Sequence, residues 1–299
     1  MPPSVFFLLL LLACCWRPAE AATVRAAGAP VAVAHTTRRG EYVFFPETLA
    51  VLPGGNVLLS YQTDADGLHD DGWTGRHYAS ADGGASWAPV AMPYQGLKVK
   101  PCLATGTATA RCLTYPLLCT PGAGNRSGHV QFQTFSSTAG QTIRQTGTGN
   151  VTMAGFPCDM LVWGPHTFKM VTDGNILALA TGQLLTTTYG SCAGQPGYSL
   201  HALTSSDHGL SWQHRAVIAD AGPATPAVCA APSENHMVQL PNASLLVVYR
   251  SLGTLQPLCM ARSDDHGASW TAPVPLNGPF GVEPKLLLTV DRSTLVLSR

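Results

Sequence analysis

Three copies of one eight-residue pattern, S-x-D-x-G-x-S-W, constrain this chain more than any other feature. They run from Ser80 to Trp87 (SADGGASW), from Ser205 to Trp212 (SSDHGLSW) and from Ser263 to Trp270 (SDDHGASW). Five fixed positions repeated three times do not arise by chance. A worn copy, SSTAGQTI, spans Ser136 to Ile143 and keeps Ser136, Gly140 and Thr142 but not the Asp or the Trp. The Asp positions are 82, 138 (now Thr138), 207 and 265, so the steps are 56, 69 and 58 residues. A period of this size marks repeated supersecondary units.

A second element recurs upstream of the boxes. It is an apolar run, a turn and another apolar run: TLAVLPGGNVLLSY (Thr48 to Tyr61), TFKMVTDGNILALA (Thr167 to Ala180) and HMVQLPNASLLVVY (His236 to Tyr249). EPKLLLTVDRSTLVLS (Glu283 to Ser298) opens a further copy. Pro-Gly-Gly, Asp-Gly and Pro-Asn between Val/Leu-rich runs predict β-hairpins. Each period is then two strands, a connection, and a box turn between two more strands. Four-stranded antiparallel units in series, none able to bury both faces alone, predict an all-β fold of the β-propeller kind. Within a box, Asp and Ser side chains bond turn amides, Gly permits the tight backbone, and Trp fills the gap between sheets. Asp82, Asp207 and Asp265 therefore read as structural, and the three tryptophans as largely buried.

Composition agrees. Thirty Gly and twenty-three Pro lie scattered along the chain. Hydrophobic residues make up 45% and charged residues 11%, which excludes a disordered tail or a coiled coil. Seventeen basic and seventeen acidic residues cancel without a basic cluster, so nucleic acid is not an expected partner.

The apolar run Val5 to Cys15 is too short for a bilayer-spanning helix of about 20 residues. With Ala19-Glu20-Ala21 after it, it predicts a signal peptide over residues 1–21, although the MPPS start lacks a basic residue. A lead-in strand is expected over residues 22–40 and the propeller over residues 41–299. No other segment reads as a membrane span, so the expected destination is secretion or a lysosome-like lumen of the secretory pathway. Seven cysteines follow the leader; their spacing fits no zinc pattern, and disulfides are the default in an exported chain. Cys102 and Cys112 suit one hairpin. Sequons at Asn125, Asn150 and Asn242 fit the same route. There is no phosphate loop, nucleotide fingerprint or His/Glu metal spacing, so no cofactor and no metal are expected. His208 and His266 occupy variable box positions, while His166 and His236 stand near the starts of inner strands.

Asp boxes on a period of about 60 residues resemble the sialidase (neuraminidase) superfamily of BNR-repeat propellers, over residues 40–299 or so. Similar boxes occur in sortilin-type receptors and some plant-polysaccharide hydrolases, so they bear on fold more than on function. The resemblance implies six blades around one axial site, where three arginines clamp a carboxylate. A tyrosine nucleophile there is assisted by a glutamate, and an aspartate serves as acid/base. SENHMVQLPNASLLVVYRS resembles the segment carrying that glutamate and the second clamp arginine, which implies Glu234 as base and Arg250 in substrate binding. The acidic loop TDADGLHDDGWTGR lies where the family carries its acid/base; Asp70 and Asp71 are nearest, with Asp64 and Asp66 further away. The departure is Phe44, which stands two residues before Pro46 where the first clamp arginine belongs. The third arginine and the tyrosine are expected in later blades, which this sequence does not contain.

The function so implied is a sialidase-like glycoside hydrolase acting on terminal sialic acid, or a related sugar, of glycoconjugates. The alternative is a non-catalytic glycan- or protein-binding Asp-box propeller. Six repeats of about 60 residues would need roughly 360, against the 278 (299 − 21) expected after removal of residues 1–21. The expectation is therefore an incomplete propeller of about four to five blades, with a four-bladed ring as the competing reading. Glu283 and Arg299 repeat the Glu234–Arg250 separation and are expected at analogous places around the axis.

Overall fold

The apolar runs flanking each turn pair as antiparallel strands, and each box closes the second hairpin of the same unit. The computed structural model describes residues 10–11, 44–62, 75–90, 99–119, 126–160, 168–253, 256–289 and 291–298. After the short β1 (Leu10–Leu11), the first unit is β2 (Phe44–Val51), β3 (Val57–Gln62), β4 (Gly75–Ser80) and β5 (Ala88–Pro89). The second is β6 (Val99–Ala104), β7 (Thr109–Cys119), β8 (Ser127–Ser136) and β9 (Arg144–Ala154). The third is β10 (Phe168–Thr172), continued by β11 (Leu177–Ala178), then β12 (Leu184–Ser191), β13 (Tyr198–Ser205) and β14 (Ser211–Ala219). The fourth is β15 (Pro232–Gln239), β16 (Leu245–Ser251), β17 (Pro257–Ser263) and β18 (Val274–Phe280). A hairpin of β19 (Lys285–Leu288) and β20 (Leu295–Ser298) follows, and Leu10–Leu11 pair with Val296–Leu297.

Within each unit the strands lie in sequence order. The second and third units share one nine-stranded sheet through two added pairings. β14 runs parallel to β9 just after its box, and β10 pairs with the end of β7. The three intact boxes and the worn copy all occupy the turn between third and fourth strands: β4–β5, β8–β9, β13–β14 and β17–β18.

The box chemistry repeats nearly atom for atom. In the second intact box, Ser205 Oγ donates to Asp207 Oδ1 at 2.7 Å and accepts the Gly209 amide at 2.9 Å. Asp207 also accepts the Ser211 amide at 3.0 Å and the Ser211 hydroxyl at 2.6 Å. The third box has the same four bonds through Ser263, Asp265, Gly267 and Ser269, and the first has them through Ser80, Asp82, Gly84 and Ser86. The box glycine takes φ between 68° and 97° in all four copies, a left-handed backbone that a side chain disfavours.

The cores lie between successive units. Leu58, Ala79, Ala110, Phe135 and Ile143 pack units one and two together. Leu113, Val151, Met153, Leu203 and Trp212 pack two and three. Leu185, Leu200, Met237, Val247 and Tyr249 pack three and four. Val238, Leu246, Leu286 and Leu297 pack the fourth against β19–β20. This alternation of sheet and core is what a unit with two apolar faces requires.

The box aromatic enters the core shared with the preceding unit. Trp212 does so completely, and Ile143 takes the same role in the worn box. Trp270 packs against its core but stays half-buried. Trp87 is also half-buried, and its indole N–H donates to Gly84 O at 3.0 Å. The expectation of three largely buried tryptophans thus holds for Trp212 alone.

Among the described residues three disulfides form: Cys102–Cys112, Cys158–Cys192 and Cys229–Cys259. The first joins directly opposed residues of β6 and β7, as the sequence suggests. Such bonds suit an extracellular or secretory environment. No helix among the described residues is long and apolar enough to cross a membrane.

Candidate active site on the inner strands

The first strands of neighbouring units approach one another, β2 near β6 and β15 near β19, and so form the inner layer. Each hairpin turn is opened by a residue whose amide reaches across the turn: Leu179 to Gln183, Leu240 to Ser244 and Thr289 to Thr294. Six residues before each opener stands an acid, namely Asp173, Glu234 and Glu283. The first unit has Pro46 there, six before Leu52.

Glu234 lies on β15 and Arg250 near the end of the neighbouring β16. Arg250 Nη1 contacts both carboxylate oxygens of Glu234, at 3.1 and 3.0 Å. The guanidinium side chain is 30% exposed and the carboxylate side chain 17%, so both reach solvent from a largely enclosed position. Glu283 donates its amide to Glu234 Oε2 at 3.3 Å, and its carboxylate pairs with Lys285 Nζ at 3.1 Å. One array therefore holds two acids and two cations, spread over the fourth unit and the strand beyond it. Glu283 adopts φ 51° in making this contact.

Asp173 reaches the array from the other side. Its Oδ2 accepts the amide of Asn235 at 3.3 Å, next to Glu234. Asn175 then brackets Met237, with its side chain donating to the carbonyl and accepting the amide, both at 2.9 Å. Gly174 between them permits the approach, because a Cβ there would lie 1.8 Å from Thr187 Oγ1. Asp173-Gly174 does not form the hairpin turn that the sequence predicts. It interrupts the first strand, β10 resumes as β11, and the turn falls at Ala180–Gln183.

Three influences raise the Glu234 carboxyl above its ordinary value: burial first, then the charges of Glu283 and Asp173. The ion pair and hydrogen bond with Arg250 oppose them without prevailing. A carboxyl so placed holds a proton more firmly than a solvated one. The guanidinium beside it is a planar donor suited to carboxylates, and the contact with Glu234 uses Nη1 alone.

The structure brings Glu234 and Arg250 together. Asp70 and Asp71, with Asp64 and Asp66, lie outside the described residues. So do His166 and Arg299, and of Phe44 only the backbone is described, paired with Gln62. His236 is half-buried and accepts the Leu286 amide at 3.3 Å, which ties β15 to β19. Sequence reasoning missed Asp173 and Lys285. The six-residue offset of Asp173 from the turn opener emerges only once the turn is placed, because the turn-like Asp-Gly pair hides that register in the sequence.

Residues 165–297 match the family described as a BNR repeat-like domain. No curated protein sequence matches the chain. Among solved structures, a protein of unknown function from Dyadobacter fermentans superposes with TM-score 0.61 at 19% identity, covering 87% of this chain and 75% of that one. Trypanosoma rangeli sialidase gives 0.56 at 14% identity, over 86% of this chain and 44% of the sialidase. A mutant of the NanB sialidase from Streptococcus pneumoniae gives 0.53 at 15% identity, over 87% and 57%. The chain thus has the β-propeller fold of the sialidases and resembles that superfamily, while spanning less than two thirds of either sialidase.

Proposed function

We propose that this BNR-repeat chain is a sialidase-like glycoside hydrolase that acts on a terminal sialic acid, or a related sugar, of glycoconjugates. The observation that carries the reading is the Glu234–Arg250 pair on the inner strands of a sialidase fold, with Glu234 half-enclosed and its proton affinity raised. In this reading Arg250 grips the sugar carboxylate by charge-assisted hydrogen bonds, and Glu234 would accept the proton of a tyrosine nucleophile that the resemblance places in later blades. Asp70 or Asp71 protonates the leaving oxygen, and configuration is retained through a glycosyl–tyrosine intermediate. The chemistry calls for no cofactor and no metal. Removal of residues 1–21 would deliver the chain to the secretory route, where its partners are glycans rather than nucleic acid.

Phe44 favours a second reading. A phenyl ring cannot bind a carboxylate, and Glu234 already engages Arg250, so a propeller that binds a glycan or protein without turnover fits the same residues. A panel of aryl sialosides and neutral aryl glycosides separates the two. Release from sialosides alone, lost in Glu234→Gln, supports the hydrolase. Sialoside binding without release supports the binding module, and neither binding nor release removes both.

A further inference from the structure

Cys158, Cys192, His201 and His214 come from four separate segments of the chain and meet at one place between the second and third units. Cys192 follows β12, His201 lies on β13 and His214 on β14, while Cys158 sits in the segment after β9. That segment is held by a bridge between Met160 and Cys192 and by the Ala193 amide, which donates to Asp159 O at 2.7 Å. His201 Nε2 lies 3.9 Å from Cys192 Sγ. The two sulfurs and an imidazole nitrogen of His201 all lie within 4.8 Å of one another. Cys192 and His201 are buried, and Cys158 is half-buried.

The surroundings resemble a prepared ligand set more than an incidental cluster. His201 Nδ1, on the far side of its ring, lies 3.1 Å from His214 Nε2, and Phe156 packs edge-on to the ring at 5.6 Å. A second imidazole against the far nitrogen holds the ring in place, as second partners of metal-bound histidines do. Ser199 Oγ stands 3.4 Å from Cys192 Sγ, within reach to donate to a thiolate.

We propose that Cys158 Sγ, Cys192 Sγ and His201 Nε2 form a metal site for Zn²⁺ or another thiophilic cation when the Cys158–Cys192 disulfide is reduced. The disulfide is then the closed, metal-free form. A tetrahedral Zn²⁺ with Zn–S bonds near 2.3 Å sets its two sulfurs about 3.8 Å apart. Backbones whose Cα atoms lie 5.6 Å apart reach this by side-chain rotation. Opening needs a dithiol reductant. Its thiolate attacks the half-exposed Cys158 sulfur and releases Cys192 as a thiolate. Its second thiol then resolves the mixed disulfide, so two electrons and two protons pass to the chain and the reductant leaves as a disulfide. Zn²⁺ takes the two thiolates and His201 and releases the two protons, with water in the fourth position. The linear spacing hides this site because strand pairing, not a short motif, assembles it.

The test uses the full chain, oxidised or reduced with a non-chelating phosphine, titrated with Co²⁺ and then Zn²⁺. The reduced chain is expected to show a thiolate-to-cobalt charge-transfer band that Zn²⁺ displaces, and the oxidised chain none. His201→Ala and Cys158→Ser should weaken binding by at least about tenfold, and His214→Gln by about 10–100-fold, while Cys102→Ser leaves it unchanged. Because reduction also opens the other disulfides, a second variant avoids it. Cys158→Asp presents a carboxylate, a thiol and His201 without reductant, and its Tm should rise with Zn²⁺ unless His201→Ala is added. His201-dependent binding in either preparation supports the site. Its absence from both, including metal binding that His201→Ala and Cys158→Ser leave unchanged, overturns it.

Discussion

At Glu234, burial and like charge oppose an ion pair, and each contribution can be removed separately. Burial, Glu283 and Asp173 raise its carboxyl, whereas Arg250 lowers it. If the ionised form is the working base, activity should rise with pH through that raised value. Glu283→Gln removes a like charge and should move this acidic limb to lower pH. Arg250→Ala removes the opposing cation and should move it higher while weakening substrate binding; a pH–rate profile of both variants checks this. Linkage gives a second readout. A carboxyl raised in the folded state contributes stability below its unfolded value, and that contribution is lost as pH rises through the folded one. Glu234→Gln should therefore reduce the decline in Tm on the alkaline side of that step. Trp212 poses a different question, being completely buried in the core between the second and third units. Trp212→Ala should cost about 3–5 kcal/mol in denaturant unfolding, and the half-buried Trp87 should cost less.

At the scale of the element, the box turn explains why so much was legible in the sequence. Its hydrogen bonds run within eight residues, so S-x-D-x-G-x-S-W encodes its own geometry, and the worn copy keeps the turn with Ile143 in place of Trp. The Asp207 carboxyl is pushed up by burial, but the Ser211 hydroxyl and amide and the Ser205 hydroxyl outweigh this and hold it at about 2. Bonds from Ser86 lower Asp82, and bonds from Ser269 lower Asp265, each to about 2. A depressed carboxyl contributes stability above its unfolded value of about 3.9, and that stability is lost as pH falls through the folded value. Tm should therefore drop between about pH 4 and pH 2, and Asp207→Asn should flatten that drop, as acid melts followed by circular dichroism would show. Asp173 escaped the same local logic. Asp-Gly suits a tight turn as well as a strand interruption, and only the pairing of β11 with β12 decides between them. Trp burial escaped it too, because it depends on what lies across the gap and not on the box.

Across the whole molecule, successive units are joined by apolar cores and by bonds that cross between them. Asn56 in the first hairpin donates to Ser137 Oγ and to Thr138 O of the worn box, and Thr172 Oγ1 donates to Thr114 O. The Cys229–Cys259 bond closes a loop of 30 residues beside the third core. Replacing both cysteines with alanine should cost about 3–4 kcal/mol in the chain-entropy picture, read from the denaturant midpoint. The sheet-and-core alternation was legible from the repeat period, and the Glu234–Arg250 pair through the resemblance of its segment to the sialidases. The joining of units two and three through β9–β14 was not, because no local pattern records which outer strands meet. The central claim is that Arg250, with Glu234, recognises the carboxylate of a sugar. Calorimetric titration of a sialoside and its methyl ester into wild-type and Arg250→Ala chains tests this most directly. The account predicts at least about tenfold tighter binding of the free acid to wild type, a charge-assisted contact of roughly 1.4 kcal/mol or more, and equal binding of acid and ester to the variant. Equal binding of both by wild type, or an acid preference that survives Arg250→Ala, would contradict it.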